Sequence, residues 1–128
     1  MRRIIIDTNI YTAFKLGDGE VLHELQSVDY IGVSAVVLGE LYSGFKAGSK
    51  DKQNKEELEK FLNAPRVDVV SINEETAEFY SEVYWNLRKK GKPIPTNDIW
   101  ITASAMQHGL ALYSLDSHFQ HIDGLLLK

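Results

Sequence analysis

Ile4-Ile5-Ile6-Asp7-Thr8-Asn9 runs three isoleucines straight into an acid. A short unbroken β-branched run reads as a strand buried in a sheet. A carboxylate at the end of such a strand is costly unless it is paired or coordinates a metal. Three further acids, Glu40, Asp98 and Asp116, stand in similarly apolar stretches, and no matching base lies beside any of the four in the sequence. The economical expectation is that all four converge on one divalent cation, the arrangement of a metal-dependent hydrolase of phosphate esters.

Outward from that strand, short β-branched runs alternate with helical stretches. A helical segment and a turn at Gly17-Asp18-Gly19 follow Asp7, then an amphipathic stretch with Val21, Leu22 and Leu25 on one face leads to a second strand, Tyr30 to Val33. Ser34 is a good N-cap for a helix over Ala35 to Lys46, striped by Val37, Leu41 and Phe45 with Glu40 beside them. Gly39 and Gly44 inside it each cost about 1 kcal/mol relative to alanine, so a close approach by another backbone or a ligand is expected there. Gly48 to Leu62 is polar and lysine-rich as far as Leu58 and reads as a mobile connection entering a solvated helix, the expected hinge or lid. Val67 to Val70 is the next strand, and Asn73 caps a long helix ending at Gly91. Pro93 and Pro95 impose an extended approach to a helix over Asn97 to His108, with Thr96 as its expected cap and Gly109 at its close. Leu110 to Tyr113 is a strand leading to Asp116, and Leu125 to Leu127 reads as an edge strand.

This alternation predicts an α/β fold, a mainly parallel sheet with helices on both faces, in one domain spanning 1–128. Function in such sheets gathers outside the carboxyl ends of the strands. Asp7 and Asp116 lie at two strand ends, and Glu40 and Asp98 are expected in the first turns of helices that begin near that edge.

Composition narrows the chemistry. An apolar share of 44% and a charged share of 25% are those of an ordinary globular domain rather than a disordered one. With no cysteine there is neither a disulfide nor a thiolate site, which leaves oxygen and imidazole as ligands. The apolar run after Met1-Arg2-Arg3 stops at Asp7, too short for the core of a signal peptide, and nothing spans a membrane, so a cytoplasmic location is expected. The 14 bases and 18 acids give a net charge of −4, and the chain would balance without the four candidate acids. That total excludes a broad basic surface for nonspecific nucleic-acid binding, so any such binding must be local.

Each acid has a simpler reading when taken alone. Asp98 complements the dipole of its helix, worth roughly 0.3–1 kcal/mol. Asp7 closes a strand as an Asx turn, Glu40 is a half-exposed helix residue, and Asp116 caps a turn. All four simple readings would have to hold together at the mouths of one sheet, which favours the joint one. His118 and His121 have an H-x-x-H spacing, yet no third imidazole lies nearby and their segment is short, so a zinc site is not expected.

The segments Ile4-Ile5-Ile6-Asp7-Thr8-Asn9, Val37-Leu38-Gly39-Glu40-Leu41, Ile94 to Ala105 around Asp98, and Ser114-Leu115-Asp116-Ser117-His118-Phe119 together resemble the four acidic motifs of the PIN-domain ribonucleases, and most of all the VapC-type toxins of prokaryotic toxin–antitoxin modules. The likeness covers the whole chain in the right order. It implies a PIN-like three-layer α/β/α sandwich, a Mg2+ or Mn2+ site made by Asp7, Glu40, Asp98 and Asp116, and supporting roles for Thr8, Asn9, Thr96 and Ser114. It also implies an RNA substrate cut to 5′-phosphate and 3′-hydroxyl ends, a homodimer, and a cognate VapB-like antitoxin covering the active-site groove. Where family members often carry threonine this chain has Ser114, and Trp100 stands where a smaller apolar residue is common.

Four carboxylates suit a hard cation, and without it their mutual repulsion should raise at least one pKa. An acidic site must still hold a polyanion. Arg88, Lys89, Lys90 and Lys92 end the long helix just before Asp98, and Lys46 with Lys50, Lys52 and Lys55 follows Glu40, so these are the expected contacts to the RNA backbone. Tyr42, Phe45, Phe61 and Leu62 are candidates for an apolar partner groove. Two competing functions remain open: an aspartate-nucleophile phosphatase, which generally wants a second acid where this chain has Asn9, and a PIN-like module that binds RNA or protein without cutting.

Overall fold

Four strands, β1 (Arg3–Ile6), β2 (Tyr30–Ser34), β3 (Val67–Val70) and β4 (Ala111–Tyr113), form one sheet in the order β3-β2-β1-β4 in a computed structural model describing residues 1–128. Every pairing is parallel. Six helices flank it: α1 (Thr8–Lys15), α2 (Gly19–Ser27), α3 (Ala35–Ala47), α4 (Asp51–Leu62), α5 (Glu74–Lys89) and α6 (Thr96–His108), followed by a short 3₁₀ turn at Ser117–His121. The expected three-layer α/β/α architecture is the one found. No helix is long and apolar enough to cross a membrane.

The isoleucine run forms the inner strand because it can be buried on both faces. Ile4, Ile5 and Ile6 are all buried, and β1 pairs with β2 on one side and β4 on the other. Chain order moves from β1 outward to β2 and β3, then returns to place β4 on the far side of β1. That reversal opens a crevice outside the carboxyl ends of β1 and β4. In the register, Ile6 faces Tyr113, so the next residues on the two strands, Asp7 and Ser114, emerge side by side.

Local signals set most helix ends. Ser34 caps α3 through a hydrogen bond from the Val36 amide at 3.1 Å. Asn73 and Thr76 cap α5 reciprocally, each accepting the other's backbone N–H at 3.1 Å. Gly109, with φ of 63°, ends α6 in the left-handed conformation that suits glycine.

Several expectations are corrected. Thr96 is the first residue of α6 rather than its cap; Pro95 holds the cap position and no side chain caps that end. The stretch expected to be a lid is helix α4 from Asp51 onward, anchored by the fully buried Leu58. Leu125 to Leu127 contributes one parallel bridge, Leu127 to Leu112, in place of an edge strand. Added Cβ atoms at Gly39 and Gly44 would meet nothing within 4 Å, so no other backbone of this chain approaches either. The close approach is at Gly32 in β2, where a Cβ would lie 3.1 Å from Val70 Cγ2 and 3.2 Å from Leu110 Cδ1.

Candidate metal centre

Asp7 stands at the crevice directly after β1 as the N-cap of α1, and its two oxygens are divided between α1 and the end of β4. Oδ1 accepts the Ile10 amide at 3.0 Å, which fixes the helix start, while Oδ2 accepts the Ser114 hydroxyl from the end of β4. The carboxyl is nonetheless buried, and burial raises its pKa above the ordinary value; the bonds from Ser114 and Ile10 oppose the rise, and the charges of Asp98 and Asp116 add to it.

Asp116 follows the same division. Its Oδ1 accepts the His118 amide at 2.9 Å and starts the 3₁₀ turn, while its Oδ2 lies 3.2 Å from His118 Nδ1. Ser114 links the two acids, since its hydroxyl donates to Asp7 and its oxygen accepts the Asp116 amide at 2.9 Å. Asp98 comes to the same place from the first turn of α6, a helix held in the core by Ile99, Ile101, Ala103 and Ala105. Its side chain is 20% exposed and its Oδ2 lies 3.2 Å from the same His118 Nδ1. Desolvation raises the Asp98 pKa; His118 opposes this, and the charges of Asp116 and Glu40 reinforce it.

Glu40 lies in the second turn of α3 rather than its first, and Thr8, next to Asp7, donates its hydroxyl to Glu40 Oε1 at 2.7 Å. The fold therefore brings the acids close enough for Asp98 and Asp116 to raise the pKa of Asp7 and for Asp116 and Glu40 to raise that of Asp98, with the His118 imidazole between two of them. One ligand atom each from Asp98, Asp116 and His118 lie within 4.8 Å of one another. A half-buried nest of carboxylates with one imidazole is a donor set that fits Mg2+ or Mn2+.

His118 joins the cluster without its H-x-x-H neighbour, as a member that the sequence reading does not single out. The ring of His121 stands outside the cluster, and its backbone carbonyl accepts from Lys90 Nζ at 2.9 Å. The usable signal was its position two residues after Asp116, within reach of a turn capped by that acid. Of the supporting residues, Thr8 and Ser114 touch the acids directly, whereas Asn9 and Thr96 are exposed and make no hydrogen bond to them.

The basic residues lie on the surface. Lys46, Arg88, Lys89, Lys90 and Lys92 are all exposed. Arg88 lies over the rings of Tyr84 and Trp85, 5.7 and 5.9 Å from their centroids, and Lys90 is paired with Asp123. Trp100 stacks on Tyr80 with centroids 4.2 Å apart, so the unusual indole beside Asp98 packs against α5. A groove of about 280 Å³ between α1, α3 and α4 is lined by Tyr11, Lys15, Leu41, Phe45 and Glu57 among others. Of the four apolar groove candidates, Phe45 lines it, and all four pack against the core.

Comparison with known proteins agrees with this fold. The PIN domain pattern matches residues 4–125. Ribonuclease VapC2 of Rickettsia felis is 30% identical over 129 residues, spanning 97% of this chain and 95% of that protein. Ribonuclease VapC4 of Mycobacterium tuberculosis is 33% identical over 88 residues, 69% of this chain and 68% of its own. In the solved VapBC2 complex of Rickettsia felis bound to a DNA fragment from its promoter, one chain superposes with a TM-score of 0.89 at 26% identity, covering 98% of this chain and 97% of that one. The chain belongs to the PIN-domain family, and within it to the VapC ribonucleases.

Proposed function

We propose that this chain is a Mg2+- or Mn2+-dependent endoribonuclease and the toxin of a VapBC-type toxin–antitoxin module, acting on RNA in the cytoplasm. The observation that carries the reading is the meeting of Asp7, Asp98 and Asp116 at the crevice between β1 and β4, where burial and the neighbouring carboxylates raise the pKa of Asp7 and of Asp98. Kinship with the VapC ribonucleases supplies the substrate class.

In this reading Asp7, Glu40, Asp98 and Asp116 hold the ion. A divalent ion held there would neutralise charge at the scissile phosphate and acidify a nearby water. Asp98 is partly exposed at the crevice, which suits it to accept the proton of the attacking water. Thr8 and Ser114 orient Glu40 and Asp7, so their hydroxyls hold the acids in place rather than react. The products carry 5′-phosphate and 3′-hydroxyl ends. Lys46, Arg88, Lys89 and Lys92 contact the RNA backbone, and the faces of Tyr84 and Trp85 beside Arg88 offer stacking surface for bases.

A VapB-like antitoxin occupies the groove between α1, α3 and α4, and two copies of the chain pair in the assembled module. The solved relatives are VapBC complexes, which supports that partner. The aspartate-nucleophile alternative is disfavoured because such enzymes generally carry a second acid two residues after the nucleophile, where this chain has the exposed Asn9.

The direct test is incubation of purified protein with structured RNAs. Cleavage is expected with Mg2+ or Mn2+, is abolished by chelation, and falls at least a hundredfold, on the order of losing one catalytic group, in Asp98→Asn. Cleavage by that variant at the parent rate would refute the reading, and RNA binding without any cleavage would favour the non-cutting module.

A further inference from the structure

We propose that His118 is itself a ligand of the metal centre, and that its imidazole tilts the site toward Mn2+ over Mg2+. The inference deepens the metal-centre reading above and rests on it. Its ground is the position of one nitrogen: Nδ1 of His118 lies 3.2 Å from Oδ2 of Asp98 and 3.2 Å from Oδ2 of Asp116, between two carboxylates that come from different elements.

That position is built rather than incidental. The His118 amide donates to Asp116 Oδ1 at 2.9 Å, so the backbone that carries the ring is tied to the carboxylate the ring also faces. Asp116 is tied in turn through its own amide to Ser114, and Ser114 to Asp7. Immediately after His118, Phe119 is fully buried and anchors the turn in the core. The ring itself is 47% exposed, so burial does not force it inward, and a surface imidazole at that position is otherwise free to turn to solvent.

The donor chemistry gives the consequence. Mg2+ takes hard oxygen ligands and retains water, and an imidazole adds little to its binding. Mn2+ accepts the same oxygens and also takes imidazole nitrogen more readily. This chain has no cysteine, so imidazole is its softest strong donor, and of its four histidines only His118 shares the cluster. A four-acid nest alone would not discriminate the two ions in this way; the fifth donor does.

The test uses the full chain with Mn2+ or Mg2+ alone and no RNA. Electron paramagnetic resonance of bound Mn2+ should show nitrogen modulation in the parent protein and in His121→Ala, and lose it in His118→Ala. The same titration should give about a tenfold or larger loss of Mn2+ affinity in His118→Ala, while Mg2+ affinity, read by competition, changes by less than about twofold. His118→Asn, polar but without imidazole, should behave like the alanine variant and guards against an effect of side-chain loss on the turn. Absence of nitrogen modulation in the parent, its persistence in both His118 variants, or equal losses for the two ions would overturn the proposal. Tighter Mn2+ binding in His118→Ala would also overturn it, since the imidazole would then be a stand-in for the ion. A parent protein that binds neither ion would bring down the metal-centre reading itself, a result distinct from ion binding without nitrogen.

Discussion

Asp7 shows how one carboxylate serves two purposes. Its Oδ1 holds the start of α1 and its Oδ2 faces the crevice under a hydroxyl from the neighbouring strand. Asp116 repeats the pattern, with Oδ1 closing a turn and Oδ2 in the cluster. The simple capping readings of these acids are thus correct for one oxygen each, and the metal reading concerns the other. Removal of the linking hydroxyl in Ser114→Ala should leave the fold intact and lower metal affinity and cleavage by about 10–100-fold, the usual cost of losing a group that orients a ligand. Calorimetry and an RNA cleavage assay would measure it, and parent-level values in both would show that Ser114 is dispensable.

The same residues set the pH dependence of the ion-free protein. Burial raises the Asp7 and Asp98 carboxyls above the ordinary value of 3.8, so the folded chain binds protons more tightly than the unfolded one. Stability should therefore be highest on the acid side of this transition and fall as pH rises from about 4 through the raised values. Asp7→Asn removes the larger buried charge while keeping an acceptor for the Ile10 amide. It should make the ion-free protein more stable at neutral pH by about 1 kcal/mol and flatten the slope. Denaturant titrations across that range check it, and a variant less stable than its parent at neutral pH would contradict the assignment.

Among the elements, α3 separates what sequence shows from what it hides. Its cap, its apolar stripe and its acid were all legible, because capping and periodicity are local. The meaning of its glycines was not: propensity says only that glycine is costly in a helix, and space around it depends on distant residues. Gly44 is exposed and free of neighbours. Gly44→Ala should consequently stabilise the protein by roughly 0.5–1 kcal/mol with no loss of cleavage. A destabilised variant in thermal melts would mean that the site is more crowded than the structure shows. The early start of α4 was hidden for a related reason, since its lysine-rich first turns have little apolar signal and its anchoring depends on Leu58 meeting a core assembled from other elements. Thr96 failed as a cap because Pro95 fixes the preceding backbone and takes that position itself.

At the scale of the whole molecule the site is a consequence of strand order. Returning β4 to the far side of β1 sets the ends of those two strands beside each other, and helices α3 and α6 deliver Glu40 and Asp98 to the same edge. The four acids come from four separate stretches, which is why their convergence could be inferred from burial cost but the pairing of Ser114 with Asp7, or of His118 with two acids, could not. Those contacts join residues as much as 107 positions apart, and register across a sheet is invisible in a linear reading. The proposed metal centre requires these carboxylates to act together on one divalent ion. Titration calorimetry with Mn2+ on the parent and on Asp7→Asn, Glu40→Gln, Asp98→Asn and Asp116→Asn tests it directly. Saturable binding by the parent, weakened in every variant by about tenfold or more, is the predicted result; variants that bind Mn2+ as tightly as the parent would contradict it.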